Sequence, residues 1–212
     1  MIVAVAHNKG GVGKTTTAVQ LAGELNPDVV IDQDAHQGLA IINARRAPEQ
    51  RWNVLAGLNK GELVKEIRES DNKLMLIDCG GFDSELTRIA IGAADVIICP
   101  SNDDITEQIG LVRFNKVLSE ISKAAGTAII AHVLMTRTNP SRKNFSAISE
   151  AIESQPHLRM MNSKLSRRAD FSIQMEYGLG VTERAATRSS EAGKEVAAVA
   201  DEVREILAKP TL

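Results

Sequence analysis

Apolar residues along this chain fall into short, unbroken, β-branched runs separated by longer stretches where they recur every three or four positions. The runs are IVAVA at 2–6, VVI at 29–31, LMLI at 74–77, VIIC at 96–99 and AIIAHVLM at 128–135. Runs of this length without polar alternation predict strands buried on both faces. Between them, 15–25, 61–69, 84–92 and 104–124 carry helical spacing, and in the last of these Ile105, Ile109, Val112, Leu118 and Ile121 mark the expected core stripe. Beyond residue 136 the strand signal fades. Two more helices are predicted there, near 141–154 and 189–208, the second packing Val196, Val199, Val203 and Ile206 along one face. Strand alternating with helix predicts an α/β fold: a mostly parallel sheet with helices on both faces and ligands at the carboxyl ends of the strands.

The length, 212 residues, suits one domain spanning 1–212, and neither a repeat nor a linker interrupts it; Pro140 and Pro156 read as turns. Aromatic residues are only 3%, so the core must be built from Ile, Val, Leu and Ala. Cys79 and Cys99 each end an apolar run with no metal-binding or redox spacing, which predicts reduced, buried thiols in a cytoplasmic protein. No run of eighteen apolar residues and no basic leader appear, so neither export nor membrane spanning is expected. The net charge of −2 hides an asymmetry: residues 1–136 hold 13 Lys/Arg against 17 Asp/Glu, whereas 137–188 hold 9 against 5. A near-neutral total can conceal a basic face.

The most specific chemistry lies in IVAVAHNKGGVGKTTTAVQLA, read as strand, glycine-rich loop and helix. Gly10, Gly11, Val12 and Gly13 let successive backbone N–H groups and a helix N-terminus converge on one point, which suits polyphosphate. Lys14 is placed to reach β and γ phosphates, Thr15 to ligate Mg²⁺, and Thr16 to add a phosphate hydrogen bond. The common phosphate-loop pattern starts on glycine, but here that position is Asn8, followed by a second cation, Lys9. The run LMLID supplies a strand-ending Asp78, suited to holding a Mg²⁺-bound water, with Gly80 and Gly81 behind it as a switch. The guanine-specifying N-K-x-D is absent: FNKVL at 114–118 has Leu118 where the aspartate belongs, so ATP is favoured over GTP.

KGGVGKTT resembles the deviant phosphate loop of the ParA/MinD ATPases, and the likeness extends over nearly the whole chain. In that family the extra lysine crosses a dimer interface to the partner's phosphates, which implies an ATP-dependent homodimer in which Lys9 and Lys14 are both catalytic. DQDAHQ resembles the family's D-x-D-P-Q switch, implying that Asp34 orients the attacking water and Asp32 holds the Mg²⁺ hydration shell. Ala35 and His36 depart from the pattern, leaving the hydrolysis rate open and a vestigial, nucleotide-gated binding module as one alternative. VLMTRTNP occupies the place of the family's adenine-side loop, which implies Thr136 and Arg137 as base contacts.

ADVIICPSNDD and LSRRADFSIQMEYGLGVTE resemble later segments of partition ATPases, the second from Leu165 through Arg168 to Gly178 and Val181. The short chain, with no DNA-reading domain before the loop, resembles the small plasmid-partition type. That likeness implies nonspecific DNA binding by the ATP-bound dimer, nucleoid association, and a ParB-like centromere-binding adaptor that stimulates slow basal hydrolysis. Arg142, Lys143, Lys164, Arg167 and Arg168 are the candidate DNA phosphate contacts. A MinD-like or protein-cluster-positioning ATPase is the rival within the family. Membrane targeting is disfavoured, because KEVAAVADEVREILAKPTL has mostly acidic polar positions, no Phe or Trp, and Pro210.

Overall fold

A computed structural model describes residues 1–142 and 144–209, without the side chains of Ile105 and Ala147. The chain runs β1 (Ile2–Val5), α1 (Lys14–Leu25), β2 (Val29–Asp32), α2 (Gly38–Ala44), β3 (Val54–Ala56), α3 (Lys60–Arg68), β4 (Met75–Asp78) and α4 (Glu85–Ala93). It continues through β5 (Val96–Ser101), α5 (Ile105–Ala125), β6 (Ala131–Thr138), α6 (Ser146–Glu153), β7 (Leu158–Ser166), α7 (Ala169–Glu176), α8 (Ala185–Arg188) and α9 (Glu191–Leu207). Seven parallel strands form one sheet in the order β3-β2-β4-β1-β5-β6-β7. The chain leaves β1 towards one edge and later returns past it to build the other half, so the carboxyl end of β1 lies where helices diverge to opposite sides.

Strand alternation divides the core in two. Ile2, Ala4, Ile31 and Ile77 point to one face, against Leu111, Phe114 and Leu118 of α5. Val3, Val5, Val30 and Leu76 point to the other, against α1 and the Val196, Val199 and Val203 stripe of α9. The continuous apolar runs are thus read equally by both layers.

Two strands lie where the sequence predicts none. β7, LRMMNSKLS, pairs only with β6 among the described residues, and Arg159 and Asn162 remain exposed, so polar residues break the apolar run that marks a central strand. β3 is three residues long at the opposite edge. The predicted helix at 141–154 begins only at Ser146, because Asn139 and Asn144 side chains turn the preceding chain by accepting the N–H groups of Ser141 and Ser146.

The stripe of α5 is also rotated from the one expected. Leu111, Phe114, Leu118 and Ile121 are buried, whereas Ile109 and Val112 are both 54% exposed. Ile109 lies two positions from Leu111, about 200° around a helix, and therefore faces away from the sheet.

Candidate nucleotide site

Sheet register brings the site together. Val5 pairs with Asp78 across β1 and β4, and Asp32 pairs with the same Asp78 across β2 and β4. The phosphate loop that follows β1 therefore sits directly over two neighbouring carboxylates. Gly13, with φ of 100°, is the residue from which α1 springs, a backbone state costly for any side chain. No side chain among the described residues caps α1, so its first N–H groups remain available to a ligand. Gly81 presses on the loop from the other side: a Cβ there would lie 3.1 Å from Gly10 Cα and 3.4 Å from Lys14 Nζ. Gly81 therefore packs directly against the loop, where a side chain would have little room.

Lys14 is 6% exposed, and its ammonium donates to the Lys9 carbonyl at 3.0 Å. Desolvation lowers its pKa, with Asp78 and Asp34 opposing the fall. An ammonium has three donors, so hydrogen-bonding capacity is left over for a ligand. The cleft it faces, about 440 Å³, is lined by Gly10, Gly13, Lys14, Thr15, Asp34 and Phe82 among others.

Asp78 is fully buried, and neither carboxylate oxygen has a hydrogen-bond partner among the described residues. Burial pushes its pKa up to about 7; the Thr15 hydroxyl and the Lys14 ammonium oppose the rise without reaching hydrogen-bond geometry. A buried carboxylate with all its lone pairs unspent is costly alone and fits a site completed by a hydrated cation. Mg²⁺ prefers one or two carboxylates plus phosphates and waters to an all-protein cage, and this donor set fits that preference.

Asp32 is equally buried but differently employed. Its oxygens accept the N–H groups of Asp34 at 3.1 Å and Ala40 at 2.9 Å, so it pins the loop after β2 to α2, while burial raises its pKa. Asp34 is half-buried at the cleft wall and its Oδ1 accepts the His36 N–H at 2.9 Å; Ala35 and His36 are exposed beside it.

Lys9 does not line this cleft. Its Nζ reaches Glu107 Oε1 at 2.5 Å, in the first turn of α5, and its main-chain N–H donates to His7 Nδ1 at 3.0 Å. His7 is buried, stacked on Phe114 at 5.5 Å, and its pKa is lowered to about 4 by desolvation and by Lys14 and Lys9. Neither His7 nor Glu107 stands out from its neighbours along the chain. Only the 98-residue separation closed by the fold reveals the pairing.

A second cavity, about 570 Å³, adjoins Gly13 and Thr16 and is walled by Thr136, Arg137, Leu165, Phe171 and Met175. The Thr136 hydroxyl is already spent on the carbonyls of Val12 at 3.0 Å and Ser101 at 3.3 Å, so it braces the loop. Arg137, with φ of 55°, donates to the Gly11 carbonyl at 2.6 Å. Phe171 and Met175 are cavity walls that the sequence does not single out, although their four-residue spacing places them on one helix face.

The basic candidates are scattered in their commitments. Arg142 is paired with Asp103, Lys164 donates to the Arg142 carbonyl at 2.7 Å, and Arg168 pairs with Glu195 at 2.8 Å. Arg167 is exposed and forms no ion pair among the described residues. Lys143 lies outside the described residues, as does Pro210.

Comparison with known proteins follows the same lines. Residues 3–181 match the model of the CobQ/CobB/MinD/ParA nucleotide binding domain. Protein ParA of Rhizobium radiobacter is 26% identical over 186 residues, covering 84% of this chain and 83% of that protein. Maintenance of carboxysome distribution protein A of Gloeobacter kilaueensis is 31% identical over 163 residues, covering 74% and 70% respectively. Among solved structures, the septum site-determining protein MinD of Pyrococcus horikoshii, complexed with Mg-ADP, superposes with a TM-score of 0.68 at 19% identity over 99% of both chains.

Proposed function

Because the chain belongs to the CobQ/CobB/MinD/ParA nucleotide-binding family, we propose that this ParA/MinD-type ATPase is a DNA-partition ATPase. In this reading it pairs on binding ATP, coats DNA without reading sequence, and is released when a centromere-bound, ParB-like adaptor stimulates hydrolysis. Lys14 and the N–H groups of the loop hold the β and γ phosphates, with Thr16 adding a hydrogen bond. Thr15 and Asp78 hold Mg²⁺, and Asp32 keeps its hydration shell in place. When bound, the cation offsets charge on the phosphate oxygens. Asp34 holds the attacking water, and Thr136 and Arg137 wall the base side.

One observation carries the proposal: the two lysines of a single loop point in different directions. Lys14 is buried against the cleft, whereas the Lys9 side chain is 37% exposed and directed out of it. A cation that cannot serve its own phosphates can serve those of a second copy, where charge neutralisation in the transition state is the main catalytic need. The segments that resemble partition ATPases support the DNA cargo, and the carboxysome-distribution relative supports a second reading with the same chemistry and a protein assembly as cargo.

Lys9→Ala should bind ATP normally yet give no ATP-dependent dimer on ultracentrifugation; a normal dimer removes the trans role. On a column of nonspecific DNA, Mg²⁺ with ATP should raise retention over Mg²⁺ with ADP, and the difference should shrink steeply with salt. Equal retention removes DNA from the proposal and favours the second reading. Basal phosphate release should fall well below the ~10 s⁻¹ of a median enzyme.

A further inference from the structure

Lys9 is the residue on which pairing turns, and in this chain it is not idle. Glu107 Oε1 accepts from its ammonium at 2.5 Å and Thr106 Oγ1 lies at 3.4 Å, both from the first turn of α5. The backbone of Lys9 is fixed at both ends, its N–H by His7 and its carbonyl by Lys14. The side chain thus lies along a separate hollow of about 310 Å³, bounded by Asn8, Thr106, Ile109, Gly110 and Arg113.

Glu107 is a poor place to leave a charge without a partner. Its side chain is 7% exposed, and its second oxygen, Oε2, is buried with no hydrogen-bond partner among the described residues. The neighbouring ring cannot replace the ammonium as a cation, because His7 is held neutral by burial between two lysines. Glu107 lies in the first turn of α5, where the helix macrodipole favours negative charge. Removing Lys9 therefore strands a buried anion, which costs much more than separating an exposed pair.

We infer that Glu107 is a positioning residue that holds Lys9 in cis in the unpaired chain, so that pairing on ATP must first break the Lys9–Glu107 bond. The inference rests on the trans role proposed for Lys9 and adds its regulation. Only chains with a released Lys9 are competent to pair, so the apparent dimer affinity is reduced by the released fraction. Nucleotide binding to one chain is untouched, because neither Glu107 nor the Lys9 ammonium lines the phosphate cleft. The arrangement sets a threshold: at low protein concentration ATP fills the site without producing a dimer.

The test is sedimentation of the full chain over a protein concentration series with Mg²⁺ and a non-hydrolysed ATP analogue. Glu107→Gln should pair at a protein concentration at least about tenfold lower than the wild type, with unchanged nucleotide affinity by calorimetry. A midpoint equal to or above that of the wild type overturns the latch. Lys9→Ala, run alongside, separates the two claims. If it pairs normally, the trans role fails; if it fails to pair while Glu107→Gln matches the wild type, only the latch fails.

Should Glu107→Gln not fold, amine-reactive labelling of the nucleotide-free wild type decides. Lys9 modified several-fold more slowly than the exposed Lys123 supports the latch, and equal rates overturn it.

Discussion

The phosphate end of the sheet and the basic segment 137–168 hold charge in opposite ways. At the phosphate end Lys14 and Asp78 are buried, with donors and acceptors left unspent among the described residues. In the basic segment Arg142, Lys164 and Arg168 sit near the surface and are already engaged by Asp103, a main-chain carbonyl and Glu195. Unspent buried polar groups cost free energy, and a ligand that satisfies them recovers it. Surface pairs cost little to form and contribute little. The first region is thus organised for a ligand in advance, while in the second Arg167 is the described DNA candidate that needs no rearrangement.

The sharpest way to break this contrast is Lys14→Ala. A buried ammonium directed at phosphates should contribute charge-assisted hydrogen bonds of ~1.5–3 kcal/mol each, so nucleotide affinity by calorimetry should fall by about 100-fold or more. A loss under tenfold would mean that the loop N–H groups dominate.

Next in size is a pair of opposed pH effects on the nucleotide-free protein. Asp78 titrates near 7 instead of 3.8, so the native chain takes up a proton that the unfolded one does not, and this group lowers stability as pH rises from about 4 to about 7. His7 titrates near 4 instead of 6.5, so its contribution runs the other way and is lost as pH falls through that window. The effect is at most about 4–5 kcal/mol for Asp78 and about 3–4 kcal/mol for His7, because every tenfold change in an acid constant on folding corresponds to ~1.4 kcal/mol. Asp78→Asn should therefore raise Tm at pH 7–8 and steepen the rise of Tm with pH, whereas His7→Gln should flatten it. Superimposable Tm profiles would show that neither group is as desolvated as its burial indicates.

The smallest effect refines the basic side. Arg167→Glu should lower the salt dependence of DNA retention by about one phosphate contact, whereas Arg142→Glu should change it less, because that guanidinium is engaged by Asp103. Equal slopes would mean that the Arg142 pair opens on DNA.

Much of the framework was legible. Each of the five apolar runs overlaps a strand, the last starting at Ala131 instead of Ala128, and KGGVGKTT leads from the loop after β1 into α1 as the motif requires. The edge strands β3 and β7 were not legible, because a strand with one neighbour needs no unbroken apolar run. Nor was α7, whose Phe171 and Met175 wall the second cavity amid polar neighbours. Ile109 and Val112 misled because apolar spacing reveals that a helix has a face and leaves open which face meets the sheet.

The sequence by itself determined what depends on neighbours along the chain: the alternation of strand and helix, the glycine-bearing turn into α1, and the family to which that loop belongs. Tertiary structure alone decided what depends on register and docking. It set Asp32 beside Asp78, left the latter's oxygens without partners among the described residues, and brought Glu107 to Lys9. The reason is physical: backbone conformation answers to residues a few positions away, whereas desolvation and charge pairing answer to whatever the fold brings within a few ångströms.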